Sequence, residues 1–170
     1  MAAQTHSRIG VMINNAGVMP SSPLERLRTD EWNQMIDVTV ASTLGEPDAG
    51  LASYRDMVER VRAFCDKSDT PMICDADTGY GGLLNVAHTV RGYEAAGAAG
   101  IQLEDQEFPK KCGHNTPGRR VIVMDDMVHK IQVAVESRYN EDTLIIARTD
   151  ARTALGLDEA LRRGLRRGWC

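Results

Sequence analysis

Long apolar runs are missing from this sequence, and so are the cysteine spacings of a zinc finger or a disulfide framework. No stretch reads as a transmembrane span, and the opening residues, MAAQTHSR, lack the apolar core of a secretion signal. The four cysteines, Cys65, Cys74, Cys112 and Cys170, form no CxxC pair and no zinc-type spacing with the four histidines. Free thiols in a reducing cytoplasm are therefore expected, with no membrane partner. Aromatic residues make up only 5% of the chain and the net charge is −4. A basic stripe with interleaved aromatics is absent, which argues against a nucleic-acid partner. The one basic cluster, Arg162, Arg163, Arg166 and Arg167, reads as a solvated helix end favoured by the macrodipole. No repeat or low-complexity tract is visible.

What is present suits one domain with a sizeable core: 170 residues, 42% of them hydrophobic. Apolar runs at Ile9–Ile13, Pro71–Cys74, Ile101–Leu103 and Leu144–Ala147 read as strands, each ended by turn or polar residues. Ser22-Pro23-Leu24-Glu25 has the spacing of a helix start. Tyr54, Met57, Val58, Val61, Phe64 and Cys65 follow the i, i+3, i+4, i+7 spacing of an amphipathic helix. Further helices are predicted around Val86–Tyr93, Met124–Val135 and Leu157–Leu165, and a long polar loop runs from Gln106 to about Arg120. Strands alternating with helices predict an α/β fold of parallel βα units. About four strands make roughly half of a (β/α)8 TIM barrel, which needs eight.

The polar residues fall at the ends of these strands. Asp75 and Asp77 follow one strand, Glu104 and Asp105 end the next, and Arg148 and Asp150 end the one after. In parallel α/β folds the carboxyl ends of all strands open onto one face. Helix capping explains one acid per loop; it explains paired acids in successive loops less well. Clustered carboxylates repel unless a cation lies among them, and oxygen ligands without a Cys/His cluster favour Mg²⁺, with Mn²⁺ as the alternative. Such an ion stabilises a developing enolate. The long loop carries Lys110-Lys111-Cys112-Gly113-His114, where a thiol beside lysine and histidine can exchange protons. Gly79-Tyr80-Gly81-Gly82 does not meet the GxGxxG template, since Leu84 stands at its last position; these glycines read as backbone freedom for a turn.

The segments LGEPDAG (44–50), ICDADTGYGG (73–82), GIQLEDQ (100–106), KKCGH (110–114) and IIARTDA (145–151) together resemble the isocitrate lyase/phosphoenolpyruvate mutase superfamily, from about Ser42 onward. KKCGH is similar to the loop of its 2-methylisocitrate lyase-like members. The resemblance implies Asp77 as the main Mg²⁺ contact, with Asp75 and Glu104 holding metal-bound waters and Asp48 lining the site. It implies Arg148 as the clamp on a substrate carboxylate and Cys112 as the acid/base, with Lys111, Gly113 and His114 on the loop that closes over the substrate. The implied reaction is Mg²⁺-dependent carbon–carbon cleavage of a small 2-hydroxy di- or tricarboxylate through an enolate-type intermediate. A phosphoenolpyruvate mutase-type phosphonate enzyme and a non-catalytic half-barrel are the alternatives.

Two departures from that pattern stand out. Residues 9–40, with Asn14-Asn15-Ala16-Gly17, resemble a short-chain dehydrogenase segment without its glycine-rich turn or its Tyr-x-x-x-Lys pair. The chain also stops after the helix that follows Ala151. The expectation is therefore a chimera: a dehydrogenase-like strand–helix segment at 1–40, then a truncated partial barrel at 41–170. An open half-barrel leaves sheet edges and apolar surface, so a homo-oligomer is expected.

Overall fold

The computed structural model describes residues 50–67, 71–111 and 118–166. The expected strand at Ile9–Ile13, the helix start at Ser22 and the whole 1–40 segment lie outside the described residues.

Helix α1, Tyr54–Cys65, starts where the periodicity places it. Ser53 and Asp56 cap it reciprocally: Asp56 N donates to Ser53 Oγ at 3.4 Å, and Ser53 N donates to Asp56 Oδ2 at 2.9 Å. Strand β1 is Ile73–Asp75, helix α2 is Leu83–Ala95 and strand β2 is Gly100–Glu104. After the long loop come helix α3, Met124–Ser137, and strand β3, Leu144–Arg148. A short helix α4, Ala151–Leu155, was not legible in the spacing. Gly156, at φ +97°, separates it from α5, Leu157–Gly164.

The strands pair in the order β1-β2-β3, all parallel, with a helix in each crossover. This is the expected α/β class. Strand parity follows from the register. Cys74 pairs with Ile101 and Ile101 with Ile145, while Leu103 pairs with Ala147. These residues share one face and meet Val86, Val90, Tyr93, Met127 and Ile131 from the helices in a single apolar core. The opposite parity carries Asp75 against Gln102 and Glu104 against Arg148. Polar groups therefore collect on the sheet face away from the helices, at the carboxyl ends of the strands.

The basic C-terminal cluster departs from the solvated helix end expected of it. Arg162 and Arg166 are exposed, but Arg163 is buried against Asp105 at 2.8 Å. Helix α5 turns that one side chain inward, and the buried carboxylate supplies its partner.

Candidate active site

Asp75 closes β1, and the ladder continues past it: Ala76 N donates to Gln102 O at 2.9 Å and Glu104 N to Asp77 O at 2.8 Å. Asp77 has φ +51°, outside the usual range for a residue with a Cβ, and its N–H donates to Asp75 Oδ1 at 2.8 Å. That bond ties the two carboxylate-bearing residues into one turn. The glycines behind them serve that turn: Gly79 sits at φ +84°, and a Cβ there would stand 2.6 Å from Val86 Cγ2. Tyr93 Oη donates to Asp75 O at 3.1 Å and meets Tyr80 Oη at 2.9 Å, so the turn is also held from the core side.

Glu104 is completely buried at the tip of β2. Gln106 Nε2 donates to its Oε1 at 2.8 Å, and Arg148 Nη1 lies 3.3 Å from Oε2. Among the described residues that Oε2 accepts no hydrogen bond. Burial is the largest influence and pushes the Glu104 carboxyl up to about 8; Lys110 and Arg148 pull it down, while Asp75 and Asp150 add to the rise. Arg148 ends β3 and also reaches Asp150 Oδ1 at 3.3 Å. Burial works against its charge, but Glu104, Asp150 and Asp75 outweigh burial and raise its pKa above the ordinary arginine value.

The loop that follows β2 is pinned at its stem. Gln106 bridges Val121 in antiparallel fashion, Glu107 N donates to Arg120 O at 2.9 Å, and Ile122 N donates to Asp105 O at 2.9 Å. From this stem Lys110 reaches down onto the rim, where its ammonium pairs with Asp77 and stands 3.7 Å from Glu104 Oε1. Lys110 is buried, whereas Lys111 is exposed and donates its backbone N–H to Gln106 Oε1 at 3.3 Å. Of the two lysines, the structure places Lys110 at the carboxylates; sequence reasoning had singled out its neighbour. Cys112, Gly113, His114 and Asp48 lie outside the described residues.

Three of the strand-tip residues singled out from sequence, Asp75, Glu104 and Arg148, thus share one sheet face with Asp77 beside them. Among the described residues no group of three His, Cys, Asp or Glu side chains converges as a ready-made metal cage. The donor chemistry nevertheless suits a hard cation held partly through water. The donors are all carboxylate oxygens, and Glu104 Oε2 is a buried acceptor with no hydrogen bond among the described residues. Asp75, Asp77 and Glu104 are the residues that could hold such an ion. Two further buried groups support the rim: Asp105, which the sequence places at a strand tip without giving it a role, and Arg119, which the sequence does not single out. Asp105 is buried and accepts from Thr149 Oγ1 at 2.6 Å and Asp150 N at 2.8 Å; Arg119 is also buried, with Nη1 3.5 Å from Asp150 Oδ2. The second acid of the Glu104-Asp105 pair was the available signal for Asp105. Arg119, at the end of a loop without periodicity, offered none.

Comparison with known proteins bears on this geometry. Residues 37–168 match the family described as phosphoenolpyruvate phosphomutase. The chain is 55% identical over 125 residues to 2,3-dimethylmalate lyase of Eubacterium barkeri, a match covering 74% of this chain and 43% of that one. It is 37% identical over 124 residues to 2-methylisocitrate lyase of Vibrio cholerae, covering 73% and 40%. A crystal structure of 2,3-dimethylmalate lyase, described as a PEP mutase/isocitrate lyase superfamily member, superimposes with a TM-score of 0.69 at 38% identity, covering 74% of this chain and 42% of that one. Phosphonopyruvate hydrolase in complex with oxalate and Mg²⁺ superimposes with a TM-score of 0.66 at 36% identity, covering 74% and 42%. The chain therefore spans less than half the length of these relatives, and its fold is a partial barrel of the (β/α)8 type.

Proposed function

The chain belongs to the phosphoenolpyruvate phosphomutase family of the PEP mutase/isocitrate lyase superfamily, and from that premise we propose that it carries a Mg²⁺-dependent carbon–carbon lyase site for a small 2-hydroxy di- or tricarboxylate. A substituted malate is the favoured substrate, because the lyase at 55% identity is named for one. One observation carries the reading: Asp75, Glu104 and Arg148 stand in register on one sheet face, with Asp77 at the same rim and Lys110 reaching it from the loop.

In this reading Asp77 would be the principal Mg²⁺ contact, and Asp75 and Glu104 would help hold the ion through its waters. Mn²⁺ fits the same oxygen donors. When bound, the ion supplies charge stabilisation for an enolate developing on the substrate. Arg148 offers its planar fork to a substrate carboxylate, held in place by Glu104 and Asp150. Lys110 and Arg119 add positive charge beside that carboxylate. Asp48 and Gly113 would bind the same substrate, and Lys111 and His114 would belong to the loop that closes over it. Cleavage breaks the bond between the hydroxyl-bearing carbon and its neighbour. The hydroxyl proton leaves to a base of the rim, a 2-keto acid departs, and the electron pair stays on the carbon next to the second carboxylate. The Cys112 thiol donates the proton that completes the second product.

Incubation with 2,3-dimethylmalate or 2-methylisocitrate is expected to release a 2-keto acid with Mg²⁺ and none with a chelator. Turnover of phosphonopyruvate instead would favour the phosphonate-enzyme reading, which the family description supports. No product from any of these would leave a non-catalytic half-barrel.

Self-association and a cytoplasmic setting belong to the same proposal. Leu157 and Leu161 on α5, and Leu165 just past its end, stand exposed at i, i+4, i+8. Sedimentation of the full chain as a monomer at micromolar concentration would remove the homo-oligomer. Among the described residues no helix is long and apolar enough to cross a membrane.

A further inference from the structure

The chain leaves the rim at Asp150, turns through α4 and comes back along α5, so that Arg163 reaches under the tip of β2. Its Nη1 donates to Asp105 Oδ2 at 2.8 Å, and its Nε donates to Glu159 Oε1 at 3.0 Å. Both Arg163 and Asp105 are buried. Asp105 in turn spends its other lone pairs on the β3–α4 turn, taking Thr149 Oγ1 at 2.6 Å and Asp150 N at 2.8 Å. Asp150 then faces two guanidinium groups. Arg148 Nε and Nη2 donate to its Oδ1 at 3.4 and 3.3 Å, and Arg119 Nη1 lies 3.5 Å from its Oδ2.

We propose that Arg163 and Asp105 form a positioning strut: they fix the Thr149-Asp150 turn, and through it the orientation of the Arg148 guanidinium at the rim. Neither strut residue touches the place where a substrate would lie. The Arg148 to Asp150 bonds are long, 3.3 to 3.5 Å, so Asp150 holds Arg148 only while its own backbone is held. Asp105 alone would be a buried charge without a partner, and Arg163 neutralises it from a helix that otherwise has no place in the site. The consequence for ligand binding rests on the lyase-site reading above; the consequence for Arg148 order does not.

The test uses the full ¹⁵N-labelled chain and the arginine Nε–Hε signals. In the unsubstituted chain Arg148 Nε–Hε should be ordered on the nanosecond timescale. Arg163→Met should disorder it, and Arg163→Lys, which keeps the charge and loses the fork, should fall between. Arg162→Ala, one residue away on the exposed side of α5, should leave it unchanged. With oxalate as the probe, Arg163→Met should raise the oxalate Kd about tenfold and leave the Mg²⁺ Kd unaltered, a split that a general loss of stability would not produce. Arg148 equally ordered in all four proteins overturns the strut and leaves the lyase reading standing. An unsubstituted chain that binds no oxalate, yet loses Arg148 order on Arg163→Met, removes the lyase reading and leaves the strut. If both Arg163 variants lose the helical circular dichroism of the parent, Arg163 is a requirement of the fold and the positioning role is refuted.

Discussion

Two glutamates close loops at opposite ends of the same sheet, and their surroundings treat them in opposite ways. Glu94, on the last turn of α2, gathers three donors from the segment entering β3: Tyr139 N at 2.9 Å, Asn140 N at 2.8 Å and Thr143 Oγ1 at 2.9 Å. Burial would raise its pKa, but these bonds and nearby Arg138 win and hold it below the ordinary value. Glu104, at the carboxyl end of β2, is buried with, among the described residues, one donor on Oε1 and none on Oε2. Donors matched to lone pairs make a structural staple. A buried carboxylate short of donors, beside other acids and two cations, makes a site that calls for a further positive charge.

The largest effect expected at the rim end is from Asp77→Asn. Removing the charge of the proposed principal metal contact should lower Mg²⁺-dependent 2-keto acid release by on the order of 10³-fold. Glu94→Gln, at the other end, should leave the rate of the folded enzyme unchanged. Equal loss of rate from both substitutions, measured in the same coupled assay, would erase the distinction between the two ends.

Lys110→Met comes next. Its ammonium pairs with Asp77 and approaches Glu104, and its removal takes a cation from both acids and leaves Arg148 beside Glu104. A loss of about 3 kcal/mol is expected in metal-free buffer. Millimolar Mg²⁺ should restore part of it, because an ion that binds only the folded state stabilises it by mass action. Urea titration with and without Mg²⁺ reads both numbers. A loss that Mg²⁺ does not relieve would place Lys110 in the scaffold rather than over the ion site.

How far this contrast could be read in advance depends on periodicity. The strand tips were legible because an apolar run ending in acids has a fixed side-chain parity, so Asp75, Glu104 and Arg148 had to face the same way once the strands were parallel and paired in this register. Helix α1 was legible to both of its ends, Tyr54 and Cys65, from spacing alone. The choice of Lys110 over Lys111 was not, since neighbouring residues in a pinned loop point apart without a repeat to say which points inward. Arg163 was read as solvated because its partner, Asp105, lies 58 positions away and only the return of α5 joins them. Glu94 carried no signal at all: its three donors belong to a loop 45 to 49 positions later.

The pH dependence of stability sharpens the comparison further, because the two glutamates have opposite signs. Glu104 titrates near 4.5 unfolded and near 8 folded, so between those values the folded chain binds the extra proton. Its contribution is full below about pH 4.5 and drains away as pH rises toward 8, at no more than about 1.4 kcal/mol per pH unit. Glu104→Gln should flatten that slope in metal-free buffer. Saturating Mg²⁺ should also flatten it by favouring the charged carboxylate. A metal-free chain whose denaturation midpoint is level across this window would show that Glu104 is charged throughout and already satisfied.

The smallest expected effect belongs to Glu94, and it runs the other way. Its folded pKa lies below its unfolded one, so its stabilisation is complete above about pH 4.5 and disappears as pH falls through the folded value. Glu94→Gln replaces one carboxylate oxygen by an NH₂ that faces the backbone N–H of either Tyr139 or Asn140, which can accept nothing from it. One of those donors is left without a partner, at a cost of about 1 kcal/mol. The loss should be the same with and without Mg²⁺, and it should shrink in acid, where the parent carboxylate is protonated as well. Thermal melts at neutral and acid pH, each with and without the ion, separate these terms. A Mg²⁺-dependent loss at Glu94 would mean that the two ends of the sheet are coupled, and that the staple belongs to the site.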